Sequence, residues 1–285
     1  MTAPVVVVTG TSSGIGRLTV RRFAEAGWNV VATVRDKGRL DVHDEVDNVH
    51  TLVLDVDDEQ VDLGFGETAR AVFGRVDALI NNAGYFQSGP LEATTMEQAH
   101  RQFQTNVFGL MALNKAFIPI FRAQRSGVIV NFGSISAEQG YPYTSVYEAS
   151  KAAVVSLSEG LHQELAEFGV SVKAILPGNM KTPIFDKVDR SSDVPADYAE
   201  SMSRFGQSNL VRSDPALTAE VVFRMVTDGN VRKVRYYSGP DGEAVPRVKQ
   251  LLGQDWYWDE FSAATRGNAS PLWLSVVPRP IAATD

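Results

Sequence analysis

The chain has no cysteine, which excludes disulfides and thiolate metal sites. Histidine is scarce: His43, His50, His100 and His162 are the full set, and none pair at metal-ligand spacing, so metal catalysis is not expected. Excess positive charge is missing too. With a formal net charge of -7 and no basic tract, the chain shows no nucleic-acid footprint, which favours a small-molecule ligand held in an internal site. Nothing approaches the roughly 18 uninterrupted apolar residues of a membrane span. The opening MTAPVVVVTG enters a strand pattern without a basic n-region, a long apolar h-region or a cleavage site. These absences predict a soluble, cytoplasmic protein with no membrane partner.

Length and apolar content point the other way, toward a substantial core. A chain of 285 residues that is 44% hydrophobic can bury one large α/β domain, expected here over 1–285. Short β-branched runs at 5–9, 29–34, 51–54, 78–81, 128–132, 170–176 and 234–237 each read as a buried parallel strand. Helical faces lie between them. Ile15, Leu18, Thr19, Phe23 and Ala26 mark one; Phe103, Val107, Met111, Asn114, Phe117 and Phe121 line a second; Ala153, Leu157, Leu161 and Leu165 recur at fourfold spacing in a third. This alternation predicts right-handed βαβ crossovers in a doubly wound, Rossmann-type parallel sheet of about seven strands. Two segments break the alternation. Residues 183–215 are polar and loop-like, fitting either a substrate-binding loop or an extra surface helix-turn-helix, and 239–285 form a C-terminal extension rich in Trp and Tyr. Those aromatics fit either local packing or an arm reaching a second subunit.

The first strand runs directly into Thr9-Gly10-Thr11-Ser12-Ser13-Gly14-Ile15-Gly16 and then a helix. Glycines there let backbone turn tightly and approach a pyrophosphate, while free amides and the positive helix end face the phosphates. Further on, Tyr147-Glu148-Ala149-Ser150-Lys151 sets a phenol and an ammonium four residues apart, on one helix face. Ser134 follows the fifth strand and Asn106 lies in the preceding helix. A carbonyl that accepts hydride builds negative charge on oxygen and needs a proton donor with a second hydrogen bond beside it. Tyr147 and Ser134 have the right chemistry.

Taken together, TGxxxGxG, Asn81-Asn82-Ala83-Gly84, Ser134, Tyr147-xxx-Lys151 and Pro177-Gly178-Asn179-Met180-Lys181-Thr182 resemble, in order and separation, the classical short-chain dehydrogenase/reductase family over residues 4 to about 240. The resemblance implies a nicotinamide-dependent oxidoreductase that interconverts a ketone or aldehyde and an alcohol. It implies Tyr147 as general acid/base and Ser134 on the substrate oxygen. Lys151 would bind the nicotinamide ribose, and Asn106 would hold a water of a proton relay. The cofactor residues it implies are Gly10, Ser12, Ser13, Gly14, Ile15, Gly16, Asp55, Val56, Asn82, Ala83, Gly84, Tyr147, Lys151, Pro177, Gly178, Met180 and Thr182. Asp55 would face the adenine amino group, although an Asp after a strand is also an ordinary turn former.

An NAD site commonly places a carboxylate at the end of the second strand, and here that position is Val34, followed by Arg35, Lys37 and Arg39. Arg35 can pair with a 2'-phosphate, which favours NADP(H); Asp36 turning inward would instead suit NAD(H). For work near neutrality the phenol needs a lowered pKa, and Lys151 and an oxidised nicotinamide would both push it that way. Tyr85, Phe86, Gln87, Gln139, Tyr141, Tyr143, Phe185 and Phe205 suggest a largely apolar substrate pocket with a few polar handles. The resemblance also implies a homodimer or homotetramer. A protein of another class, sensing dinucleotide without catalysis, would be expected to have lost Ser134, Tyr147 or Lys151.

Overall fold

Successive side chains of a strand point to opposite faces, so a fully apolar strand must be covered on both sides. Strand β1 (Val5–Val8) is such a strand, with all four valines buried. The computed structural model describes residues 2–58, 64–207 and 212–277. Six further strands join β1: β2 (Asn29–Val34), β3 (Val49–Val53), β4 (Ala78–Asn81), β5 (Gly127–Phe132), β6 (Val170–Pro177) and β7 (Arg235–Ser238). They form one parallel sheet in the order β3-β2-β1-β4-β5-β6-β7. The helices are α1 (Gly14–Glu25), α2 (Phe65–Phe73), α3 (Met96–Phe103), α4 (Leu110–Gln124), α5 (Ser145–Leu165), α6 (Ala199–Gln207), α7 (Ala216–Thr227), α8 (Pro240–Leu252), α9 (Gln254–Thr265) and α10 (Pro271–Val276).

Two layers result from the alternation in the strands. Val6, Val8, Val30 and Ile80 pack under Val20 and Phe23 of α1 and Val222 and Met225 of α7. Val5, Val7, Leu79, Ile129 and Val172 pack under Leu113, Phe117 and Phe121 of α4 and Leu165 of α5. The chain works outward from β1 to β3, then returns to β4 on the other side of β1. Crossovers therefore diverge between β1 and β4, and a crevice opens there at the carboxyl ends of the strands.

Polar side chains hold the centre of this otherwise apolar sheet. Asn81 on β4 donates from Nδ2 to Asn131 Oδ1 on β5 at 2.9 Å and to Asn114 Oδ1 on α4 at 2.8 Å, and Asn131 Nδ2 donates to Ser158 Oγ on α5 at 3.0 Å. Burying an amide is costly unless it is paired, so these bonds tie two strands and two helices together, although Asn81 Oδ1 and Asn114 Nδ2 are left without partners. The helix predicted to run from Phe103 to Phe121 is continuous but not uniform. Between α3 and α4 it passes through a π-helical turn, Gln104–Gly109, which contains Asn106. Gly109 ends that turn against the Val56 carbonyl, 2.3 Å from where a Cβ would stand.

The two irregular segments also take form. Over 183–207 the chain makes a 3₁₀ turn (Pro183–Lys187), a two-residue strand (Asp189–Arg190) paired with Gln87–Ser88, a second 3₁₀ turn (Ala196–Tyr198) and α6. Residues 208–211 of that segment, and 278–285 of the extension, lie outside the described residues. Helices α8 to α10 fold back on the chain. Tyr257, Phe261 and Trp273 form a third apolar cluster with Ile135, Val245 and Val248, and Tyr141 packs against it. Tyr257, Phe261 and Trp273 thus pack locally, beside the loop that follows β5, while Trp258 is 39% exposed.

Candidate active site

At the crevice, the turn after β1 and the turn after β4 are stapled together. Thr9 Oγ1 accepts from the backbone N–H groups of Asn82 and Ala83, both at 3.0 Å, and Asn82 Nδ2 donates to the Thr9 and Gly10 carbonyls at 2.8 and 3.1 Å. Helix α1 starts at this point with no side-chain cap on Ser13 and no acidic residue in its first turn. Its first amides are left without an intrahelical acceptor, beside a glycine-rich turn, and together these make an anion cradle. A dinucleotide diphosphate fits that donor set.

A cavity of about 1090 Å³ runs from this cradle to the end of β6. Its wall contains Gly10, Ser12 through Gly16, Arg35, Asp55, Val56, Asn82, Ala83 and Gly84, then Pro177, Gly178, Met180 and Thr182, and at the far end Ser134, Tyr147 and Lys151. Asp55 does double duty, for its Oδ1 also accepts from Asp57 N at 3.1 Å in a local turn. Of the residues expected to be catalytic or to bind the cofactor, Asn106 alone is outside the wall. It stands a layer behind, where Oδ1 accepts from Tyr85 N at 3.0 Å and Nδ2 donates to Tyr85 O and Ser150 Oγ, both at 3.1 Å. The side chain expected to hold a water clamps the backbone just past Gly84. π-helical turns often mark functional positions, and this one puts the clamp in reach.

Tyr147 and Lys151, one turn apart on α5, both reach the end of the cavity. The phenol hydrogen-bonds with Ser134, whose Oγ also accepts from Ser136 N at 3.1 Å. Lys151 Nζ donates to the Phe132 carbonyl at 2.7 Å and lies 5.8 Å from the centre of the Tyr147 ring. Burial pushes the phenol up to about 12, against the opposing Ser134 bond, and pushes the ammonium down to about 8. This reverses the direction expected from sequence. Desolvation outweighs attraction, because the ammonium is aimed at a carbonyl and both groups are withdrawn from water. Near neutral pH the phenol therefore holds its proton.

Beyond Tyr147 the wall turns aromatic. Phe86 meets the Tyr147 ring edge-on at 4.6 Å and Phe185 at 5.9 Å; Tyr143 lies 5.9 Å and Tyr141 6.5 Å from Phe205. Gln87 and Gln139, expected as polar handles, do not line the cavity. Gln87 is buried and its N–H donates to Gln102 Oε1 at 2.7 Å. Gln102 was not singled out by sequence, nor was Asp241. The Asp241 carboxylate, in the first turn of α8, accepts from Asn179 N at 2.8 Å and Nδ2 at 3.0 Å, fixing the turn after β6. An Asp just inside a helix that starts Gly239-Pro240 was the available signal.

Glu148, next to Tyr147, holds the loop before α5. Its carboxylate accepts from Tyr141 N and, at 2.8 Å, from Thr144 Oγ1, while burial pushes it up from 4.5 to about 7. Between those two values the folded chain keeps a proton that the unfolded chain has released. The stabilisation is thus full below about pH 4.5 and lost as pH rises through about 7. Glu148→Gln removes the titration. Its melting temperature relative to wild type should climb between pH 5 and 8, by the equivalent of roughly 3 kcal/mol. Parallel melting curves across that range would contradict this account.

Comparison with known proteins agrees with the fold. The family model described as short chain dehydrogenase matches residues 4–193. An uncharacterized oxidoreductase of Bacillus subtilis, YusZ, is 34% identical over 254 residues, covering 84% of this chain and 90% of its own. A short-chain dehydrogenase from Streptomyces avermitilis superposes with a TM-score of 0.78 at 34% identity, covering 93% of this chain and 99% of its own. Two more solved structures superpose with a TM-score of 0.71. One is ElxO with NADP bound (25% identity, 84% of this chain, 97% of its own), the other a 3-ketoacyl-(acyl-carrier-protein) reductase from Brucella melitensis complexed with NADH (27%, 83% and 96%). The chain belongs to the short-chain dehydrogenase/reductase family, oxidoreductases that act on a CH–OH group with NAD(P).

Proposed function

We propose that the protein is an NADP(H)-dependent carbonyl reductase, running in reverse as an alcohol dehydrogenase, with Tyr147 as the general acid/base. The observation that carries this reading is the joint placement of Ser134, Tyr147 and Lys151 at one end of a cavity whose other end is a phosphate cradle. A reduced nicotinamide bound there supplies the hydride. The chain's own groups do the rest. Tyr147, protonated near neutrality, donates to the carbonyl oxygen, and Ser134 gives that oxygen a second hydrogen bond. Lys151 lies beside Gly84, 3.7 Å from where a Cβ would stand, and it serves the nicotinamide ribose. Asn106 supports this end by fixing the Tyr85 backbone. In the oxidation direction the phenol must first lose its proton, and the positive charge of an oxidised nicotinamide favours that loss.

The preference for NADP(H) rests on the loop after β2. Arg35 is exposed and lines the cradle end of the cavity, and Arg39 Nη2 reaches back to the Ser12 carbonyl at 3.2 Å. Asp36, the residue that would read a ribose 2'-OH, is engaged elsewhere: its Oδ1 caps the turn Lys37–His43 by accepting from Gly38 N at 2.8 Å. Fluorescence titration of NADPH and NADH, followed by absorbance decay with a panel of ketones and aldehydes, tests the whole reading. NADPH should bind more tightly and turn over with some member. Arg35→Ala should weaken NADPH about 10- to 100-fold and leave NADH within a few-fold. Tighter NADH would make the protein an NAD-dependent dehydrogenase with the same reacting end, and binding without any turnover would favour a sensor.

The segment 183–215 is assigned to substrate, since Phe185 and Phe205 stand in the wall. A homo-oligomer is also proposed. Phe108, in the π-helical turn, is 52% exposed and Met111, in the first turn of α4, is 38% exposed; α4 is one of the helices that the family pairs between subunits. Light scattering should give a dimeric or tetrameric mass, and a monomeric mass at assay concentration would overturn that assignment.

A further inference from the structure

The aromatic wall has a charged end. Phe86 touches Tyr147, Phe185 touches Phe86, and the Arg212 guanidinium carbon lies 4.2 Å from the centre of the Phe185 ring. An apolar strip thus leads from the reacting phenol to a guanidinium. Stacking on a ring stabilises such a cation but leaves its in-plane donors unspent.

The charges around it are lopsided. Acids lining the cavity are Asp55 and Asp57, which follow β3 at the adenosine end, and Asp189. Asp189 is engaged by Arg101 and by Gln98 Nε2 at 2.9 Å. Lys187 and Arg190, two and five residues on from Phe185, line the cavity as Arg212 does, and among the described residues none of the three has a carboxylate within ion-pair distance. A chain of net charge -7 thus places these three cations, none in an ion pair among the described residues, in the wall of its cavity. A pocket wall richer in one sign of charge concentrates ligands of the other.

We infer that the substrate carries an anionic group, carboxylate or phosphate, separated by an apolar body from its carbonyl, and that Arg212 receives that group with Lys187 and Arg190 beside it. The apolar body lies along Phe86 and Phe185. This deepens the carbonyl-reductase reading and rests on it for turnover, though binding can be tested without it.

Octanoate, octyl phosphate and octanol share one apolar body and cannot react. Titrated into the NADPH-saturated protein, at least one anion should bind about tenfold more tightly than octanol, with the advantage shrinking at high salt. The better of the two identifies the head group. Arg212→Gln should bring anion and alcohol to parity, while Arg212→Lys keeps part of the preference. Equal binding of all three by the unaltered protein, or an anion preference that survives Arg212→Gln, overturns the inference. With NADPH, sebacic semialdehyde should show a kcat/KM about tenfold above that of its methyl ester. Anion preference in binding with no turnover of either aldehyde would count against the reductase reading and for the anion site.

Discussion

Tyr147→Phe should lower turnover by a factor of about a thousand or more while leaving NADPH affinity within a few-fold. A positioned general acid contributes on the order of 10² to 10⁴ in rate, and the phenol stands with Ser134 and Lys151 at that end of the cavity wall. The variant keeps the ring and its edge contact with Phe86, so it removes a proton and one hydrogen bond, not packing. Ser134 loses a partner but keeps the bond from Ser136 N. Because burial holds the phenol up near 12, reduction by the unaltered protein should not fall through loss of the phenol proton between pH 6 and 9, whereas oxidation should speed up as pH rises. Residual activity within tenfold of wild type, at unchanged cofactor affinity, would remove Tyr147 from its assigned role.

Gly16→Ala should cost both stability and cofactor. A Cβ at this position would stand 2.4 Å from the Gly10 carbonyl oxygen and 2.5 Å from Asn82 Nδ2. Neither atom can yield cheaply, because Asn82 Nδ2 also donates to the Thr9 and Gly10 carbonyls. Relief requires the turn after β1 to part from the turn after β4. Overpacking costs about 1–3 kcal/mol, and each lost hydrogen bond about 1 more. The expected result is a melting temperature several degrees lower and NADPH binding weakened on the order of 100-fold, since the cradle is displaced. Gly160→Ala is the control. Nothing lies within 4 Å of a Cβ at that position in α5, so it should stabilise slightly, by about 0.5–1 kcal/mol. If Gly16→Ala melted and bound NADPH like wild type, the stapled turns would not be what forms the cradle.

The alternation of strand and helix was legible because period two and period 3.6 are written in single residues: Val5 and Val7 against Val6 and Val8, or Ala153 through Leu165 at fourfold spacing. Residues carried by backbone turns were legible too, since Gly10, Asn82 and Pro177 sit at strand ends whose position the alternation determines. What escaped depended on contacts between distant segments. Asp241 lies 62 positions from Asn179, and Gln102 reaches Gln87 through a helix phase that no local pattern reports. The direction of the Tyr147 shift was missed because it turns on solvent exclusion and on the aim of Lys151 at Phe132, neither of which spacing encodes. Nor could composition tell whether Trp256, Tyr257 and Trp273 would pack at home or reach a neighbour. Their packing depends on Ile135 and Tyr141, distant residues that offer them an apolar surface.

The wide turn at Gln104–Gly109 is also a phase adjuster. It carries more residues per turn than the helices it joins, so α3 and α4 run on end to end with their side-chain stripes rotated against each other. One residue corresponds to roughly 100° of helix rotation. Deleting a residue here would restore a regular repeat and turn α3 by about that angle relative to α4. Gln102 would swing away from Gln87 and Arg101 from Asp189, while Phe117 and Phe121 stayed seated on the sheet. The substrate wall and the core thus share one rod but keep separate registers, and each can change without unseating the other.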